Sequence, residues 1–200
     1  MPAPIEFFFD FASPYGYLAA QEVEAMGARA GRAVVWKPFL MGAVFEQVGS
    51  KPLLDYPLKG AYSLHDMQRT ARRLGVPFVV PEPFPFSSVP ASRAFLVLSE
   101  TQPDDAKRLA LRLYNAIFGQ AVALSTVEAV VAVANDLGLD GDALAQAMVS
   151  PAIKAKFRQE VEAALARGVF GAPFFFVDGE AFWGHDRMAE VEDWVKSGGW

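Results

Sequence analysis

Cysteine is absent from this chain of 200 residues. That excludes disulfides, thiolate metal sites and any thiol chemistry by the protein's own side chains. If sulfur chemistry occurs, a bound small molecule must bring the sulfur. Histidine is scarce as well: His65 and His185 stand far apart, with no paired ligand motif between them, so no metal site is expected. No basic block appears, and 18 basic against 23 acidic residues leave a formal charge of −5, which speaks against nucleic-acid or anionic-membrane partners. No apolar run approaches the roughly 18–20 residues of a membrane span. The start, Met1-Pro2-Ala3-Pro4-Ile5-Glu6, lacks the positive region of a secretory signal, and a cytoplasmic setting is expected.

What the chain does have is apolar content, 52% of its residues, enough to bury a sizeable core in one unit. Its organising stretch is Phe7-Phe8-Phe9-Asp10-Phe11-Ala12-Ser13-Pro14-Tyr15-Gly16-Tyr17. An aromatic run that stops at Ser-Pro and passes into helical periodicity reads as a buried strand delivering Ser13 to a helix start. Pro14 suits the first helical position, where an N–H would have no intrahelical partner. Ser13 has two compatible readings: an ordinary N-cap, or a hydroxyl that donates to an anion held by the free amides and helix dipole. The third helical position holds Gly16, so the reciprocal capping box is missing.

Gly27 and Gly31 bracket a turn, and residues 33–39 read as a second buried strand, a βαβ unit with a right-handed crossover. Residues 41–59 have no clean period and read as a loop with one short helical turn. Helices then follow from Leu64 to Leu74, from Pro90 to Glu100, from Pro103, after a Ser125-Thr126-Val127-Glu128 capping box, from Asp140 to Met148, and from Ser150-Pro151 to Gly168. Strand character returns at residues 172–177, Asp178-Gly179 marks a hairpin, Glu180–Trp183 is the return strand, and a last amphipathic helix carries Met188, Val191 and Val195. The order βαβ, helical block, ββα is an α/β thioredoxin-like fold interrupted by a large all-helical insertion. The chain then divides into a thioredoxin-like part, residues 1–58 and 168–200, and an insertion, residues 59–167, within one unit.

Three motifs lie in register with a known family. Phe9-Asp10-Phe11-x-Ser13-Pro14-Tyr15 puts Ser13-Pro14-Tyr15-Gly16 where thioredoxin-fold oxidoreductases carry Cys-x-x-Cys. Gly168-Val169-Phe170-Gly171-Ala172-Pro173 looks like the cis-proline loop of that fold, and Glu180-x-Phe182-Trp183-Gly184-x-Asp186-Arg187 completes the set. On these residues the chain resembles the 2-hydroxychromene-2-carboxylate isomerases and kappa-class glutathione transferases of the DsbA-like group. The resemblance implies a glutathione-dependent isomerase of a small aromatic substrate, working as a homodimer. A kappa-like transferase or peroxidase, or a non-catalytic binding module that has lost its cysteines, are the alternatives.

It also implies roles for single residues. Ser13 would hydrogen-bond the sulfur of glutathione and favour its thiolate. The backbone at Ala172-Pro173 would pair with the cysteinyl main chain, Lys59 would meet the glycyl carboxylate, and Asp186 with His185 would hold the γ-glutamyl end. Ser50 stands where relatives have an asparagine contact, and Ser87 and His185 are further departures that leave the substrate open. Each has a plainer reading: Asp186 as a helix cap, Lys59 and His65 as solvated positions. Phe11, Tyr15, Trp36 and Trp183 are core aromatics or walls of an acceptor pocket.

Overall fold

The computed structural model describes residues 2–45 and 48–200; expectations that touch Met1, or Glu46 and Gln47 of the middle loop, lie outside the described residues. Strand β1 (Ile5–Phe9) leads into helix α1 (Pro14–Arg29) and returns as β2 (Val34–Pro38). The two strands are parallel neighbours, in register from Ile5↔Val34 to Phe9↔Pro38. Strand β3 (Phe174–Val177) pairs antiparallel with β1, and β4 (Glu180–Trp183) antiparallel with β3, giving the order β2-β1-β3-β4. This is the thioredoxin-like arrangement the sequence implied. The hairpin between β3 and β4 needs left-handed backbone, which Asp178 (φ 52°) and Gly179 (φ 91°) supply.

Between the halves of the sheet lie α2 (Lys59–Leu74), α3 (Val89–Ser99), α4 (Pro103–Tyr114), α5 (Val127–Asp136), α6 (Gly141–Val149) and α7 (Pro151–Ala166), and α8 (Met188–Ser197) closes the fold. Among the described residues, no helix is long and apolar enough to cross a membrane.

Several boundaries differ from the sequence reading, each for a local reason. Helix α1 runs through Gly27 to Arg29, because a hydrogen at Gly27 lets the helix lie against β2; a Cβ there would sit 2.5 Å from Val34 Cγ2. The middle loop holds two 3-10 turns, Met41–Ala43 and Leu53–Asp55. Thr126, not Ser125, caps α5, its hydroxyl accepting from Ala129 N–H. Helix α4 widens into a π segment, Asn115–Gly119, and β3 begins at Phe174, after a bend over residues 171–173.

β1 is central and covered on both faces, hence its almost wholly apolar run. On one face Phe9 packs edge-on against Phe11, Trp36 and, from α3, Phe95, at centroid distances of 5.2, 5.3 and 5.1 Å. On the other face Phe8, Phe174 and Phe176 meet Phe157, Val161 and Ala164 of α7. The expectation that Phe11 and Trp36 wall a pocket is therefore corrected: both are buried in the aromatic core. Trp36 even gives its indole N–H to Glu24, at 2.6 Å, away from the serine loop.

Candidate functional site

Ser13 arrives at the end of β1 on a tight turn in which Asp10 O accepts from Ser13 N–H at 2.8 Å. Its backbone is extended (φ −95°, ψ 113°), as an N-cap requires, and its Oγ accepts from Gly16 N–H at 3.0 Å. The same Oγ donates to the carbonyl of Ala172 at 2.7 Å, bridging the helix start to the cis Ala172–Pro173 peptide. Both expected loops thus meet at one side chain, which is only 2% exposed. Pro14 has no N–H, and the Gly16 and Tyr17 amides are bound to Ser13 Oγ and Ser13 O. Among the described residues the Tyr15 N–H has no acceptor and is left as the first-turn donor for an anion, at the positive end of α1.

Gly16 is glycine for lack of space. A Cβ there would stand 2.7 Å from the Tyr114 hydroxyl and 3.0 Å from Ser13 Cβ. Tyr114, on α4, is fully buried and donates to Asp10 O at 2.9 Å, so the insertion reaches directly under the serine turn.

A cleft of about 1600 Å³ opens over these groups. It brings together Ser13, Tyr15, Ser50, Lys59, Ala172 and Pro173, and also Trp183, His185 and Asp186. Phe11 and Trp36 are not part of its wall. Lys59 and Lys51 lie 5.7 and 4.9 Å from the ring centre of Tyr56, whose hydroxyl is 3.4 Å from Ser50 Oγ. The hydrogen bond to Ser50 and the two ammonium groups pull the Tyr56 phenol below its usual range. This rim is therefore electropositive.

On another side Tyr15 donates to Asp66 Oδ2 at 2.7 Å, and Arg69 pairs with the other oxygen. Burial, then Asp66, push the Tyr15 phenol well above its ordinary value. Burial would raise the Asp66 carboxyl, but the bonds from Tyr15 and Arg69 outweigh it and hold the group below its usual range. His185 is buried and its Nε2–H donates to Glu22 Oε2 at 2.9 Å, tying the start of α8 to α1. Asp186 is not the cap that its position suggested. Its side chain is 76% exposed and lies 3.9 Å from Arg187, while the Gly184 and Arg187 cap positions have no side-chain hydrogen bond.

Trp183 and Phe170 stand at the lip of the cleft, rings 4.8 Å apart, and are 56% and 42% exposed. The indole lies over Gly171, where a Cβ would meet its Nε1 at 2.6 Å. His65 is an exposed position of α2, as its plain reading had it. Sequence reasoning passed over Phe170, Tyr56, Asp66 and Asp10. Only Asp10 carried a visible signal, an ionisable residue inside an otherwise aromatic run.

Known proteins share this architecture. Residues 4–196 match the family model of the DsbA-like thioredoxin domain. The 2-hydroxychromene-2-carboxylate isomerase of Sphingobium xenophagum is 30% identical over 197 residues, covering 98% of this chain and 99% of that protein. Human glutathione S-transferase kappa 1 is 24% identical, with 94% and 88% covered. A solved 2-hydroxychromene-2-carboxylate isomerase superposes with a TM-score of 0.86 at 28% identity, over 96% of this chain and 94% of that one. The chain belongs to the DsbA-like thioredoxin family, among the 2-hydroxychromene-2-carboxylate isomerases and their kappa-class glutathione transferase relatives.

Proposed function

We propose that the protein is a glutathione-dependent isomerase of an aromatic substrate of the 2-hydroxychromene-2-carboxylate type. One observation carries the reading: Ser13 at a helix start bonded to the cis Ala172–Pro173 loop within one cleft, in a chain 30% identical to an isomerase of that name. The chemistry of the cleft suits an anionic tripeptide thiol. Among the described residues Tyr15 N–H is an open donor, and Lys51 and Lys59 have no carboxylate partner.

When bound, glutathione would supply a thiolate, the nucleophile for reversible addition to a carbon–carbon double bond conjugated to a carbonyl. The chain's own residues make that sulfur an anion and hold it. Ser13 Oγ and the Tyr15 N–H favour the thiolate by hydrogen bonding at the positive end of α1. Ala172 offers backbone to the cysteinyl unit, and Lys59, with Ser50 and Lys51, holds the glycyl carboxylate. Asp186, beside His185, takes the γ-glutamyl ammonium. Trp183, with Tyr15 and Phe170, forms the aromatic side on which a planar acceptor packs.

The test is calorimetry with glutathione, followed by the optical change of 2-hydroxychromene-2-carboxylate with and without it. Binding together with a rate that requires glutathione supports the reading. A stable conjugate in place of the isomer would make the protein a transferase, and no binding heat and no rate would remove the enzymatic reading.

A further inference from the structure

Asp10 is a carboxylate only 1% exposed, beneath the floor of the cleft, and among the described residues no cation is paired with it. Burying an unpaired carboxylate is costly, so its oxygens must be satisfied by other donors. The two oxygens go to two different segments. Oδ1 accepts from Ala12 N–H at 2.9 Å, inside the serine turn, and Oδ2 from Met41 N–H at 2.7 Å, in the loop after β2. The backbone carbonyl of the same residue is equally committed, to Ser13 N–H at 2.8 Å and to the Tyr114 hydroxyl at 2.9 Å. Ser88, at the start of α3, is buried beside this group, and its hydroxyl has no hydrogen-bond partner among the described residues.

A turn-forming side chain needs one acceptor atom, and Ser or Asn would provide it. The second oxygen acts elsewhere. It holds Met41, in the loop after β2, which also lines the cleft. One residue thus ties two separate segments of the cleft lining, the serine turn and the loop after β2.

We propose that Asp10 is a positioning residue of the site, fixing Ser13 through the Ala12 amide and the cleft-lining loop after β2 through the Met41 amide. Its effect on rate rests on the isomerase reading above. It touches neither thiol nor acceptor and acts through where those residues place their groups. A misplacement of about 1 Å costs on the order of a hundredfold in rate.

Asp10→Asn keeps the shape and one acceptor oxygen. Asp10→Ser keeps the turn but cannot reach Met41. Each folded variant is assayed for glutathione affinity, for the ultraviolet thiolate absorbance of bound glutathione, for kcat and KM, and for hydrogen exchange of the Ala12 and Met41 amides. Expected are faster exchange at Met41 in Asp10→Ser, a glutathione Kd within about threefold of wild type, and a kcat lower by about 10–100-fold. Unchanged kcat in a folded variant, or loss of folding in both, would overturn the proposal. Wild-type glutathione binding is the separate control: if it is absent the isomerase reading fails, while amide exchange still tests whether Asp10 holds the two segments.

Discussion

The hydroxyl of Ser13 gives its single proton to the carbonyl of Ala172, at 2.7 Å, while accepting from the Gly16 amide at 3.0 Å. A hydroxyl has one hydrogen to donate. To serve a sulfur anion it must let go of Ala172, and the released carbonyl then needs another donor. A peptide-like ligand lying along the cis-proline loop brings such an N–H with it. Under the proposed function, binding of the tripeptide and redirection of the serine proton would be one exchange.

Ser13→Ala removes an N-cap and leaves the Ala172 carbonyl without its partner. The expected loss of stability is about 2 kcal/mol, read from urea denaturation. Glutathione-dependent turnover should fall by at least about tenfold, with glutathione affinity changed much less. A variant with wild-type turnover would take Ser13 out of the chemistry.

Gly16→Ala places a methyl group against the Tyr114 hydroxyl and Ser13 Cβ. Helical propensity alone favours alanine by roughly 1 kcal/mol, but overpacking in a filled core costs about 1–3 kcal/mol and here wins. The melting temperature should drop. Gly16→Ala combined with Tyr114→Phe, which withdraws the oxygen, should recover part of the loss. A stabilised single variant would contradict the close approach.

Trp183→Ala should be close to neutral for folding, since 56% of the residue is already in solvent. Affinity for the aromatic acceptor should weaken, through KM more than through kcat, by about 5–30-fold. Steady-state kinetics at saturating glutathione measure this. An unchanged KM would move the acceptor elsewhere in the cleft.

Two carboxyls titrate in opposite senses. Burial pushes Asp10 up, against the neighbouring Ser88 and the hydrogen bonds from the Ala12 and Met41 amides that pull it down. A raised folded value means a contribution present in full below the unfolded value, about 4, and lost as pH rises through the folded one. Wild type should therefore lose stability relative to Asp10→Asn as pH climbs above about 4. Glu6 behaves in reverse: the hydrogen bond from Arg167 holds it low, so its contribution exists above its unfolded value and fades in acid. Because that pair is partly exposed, at 43% and 25%, it should amount to less than about 1 kcal/mol. Urea titrations over a pH series on wild type, Asp10→Asn and Glu6→Gln separate the two slopes. Parallel curves for wild type and Asp10→Asn would contradict the raised value.

The parts of this molecule that were legible in the sequence are those governed by neighbours in the chain. Ser13 before Pro14, Asp178-Gly179 and the Asp140 cap are local chemistry, and each sits where its residue type demands. The βαβ and ββα halves were visible because buried strands and amphipathic helices have different periods. Phe11 and Trp36 could not be assigned to core or cleft, since that depends on Phe95 and Tyr114 arriving from α3 and α4. Asp186 misled because a carboxylate before a helix usually caps it, whereas the 3-10 turn His185–Arg187 carries the chain into α8 without that bond. Asp10 stood out in its aromatic run, but its role was out of reach for the same kind of reason: its partner Met41 and its neighbour Ser88 lie in segments that only folding brings to it.

Tyr114 passes from the inserted helices to the strand end and closes the same aromatic interior as Phe9 and Phe11. A shortened chain with residue 58 joined to residue 168 would not be a small thioredoxin. It would leave a floor of phenyl and indole rings open to water, and its fate would be precipitation. Nicks between the inserted helices should accordingly melt the sheet and the helices together, in one transition.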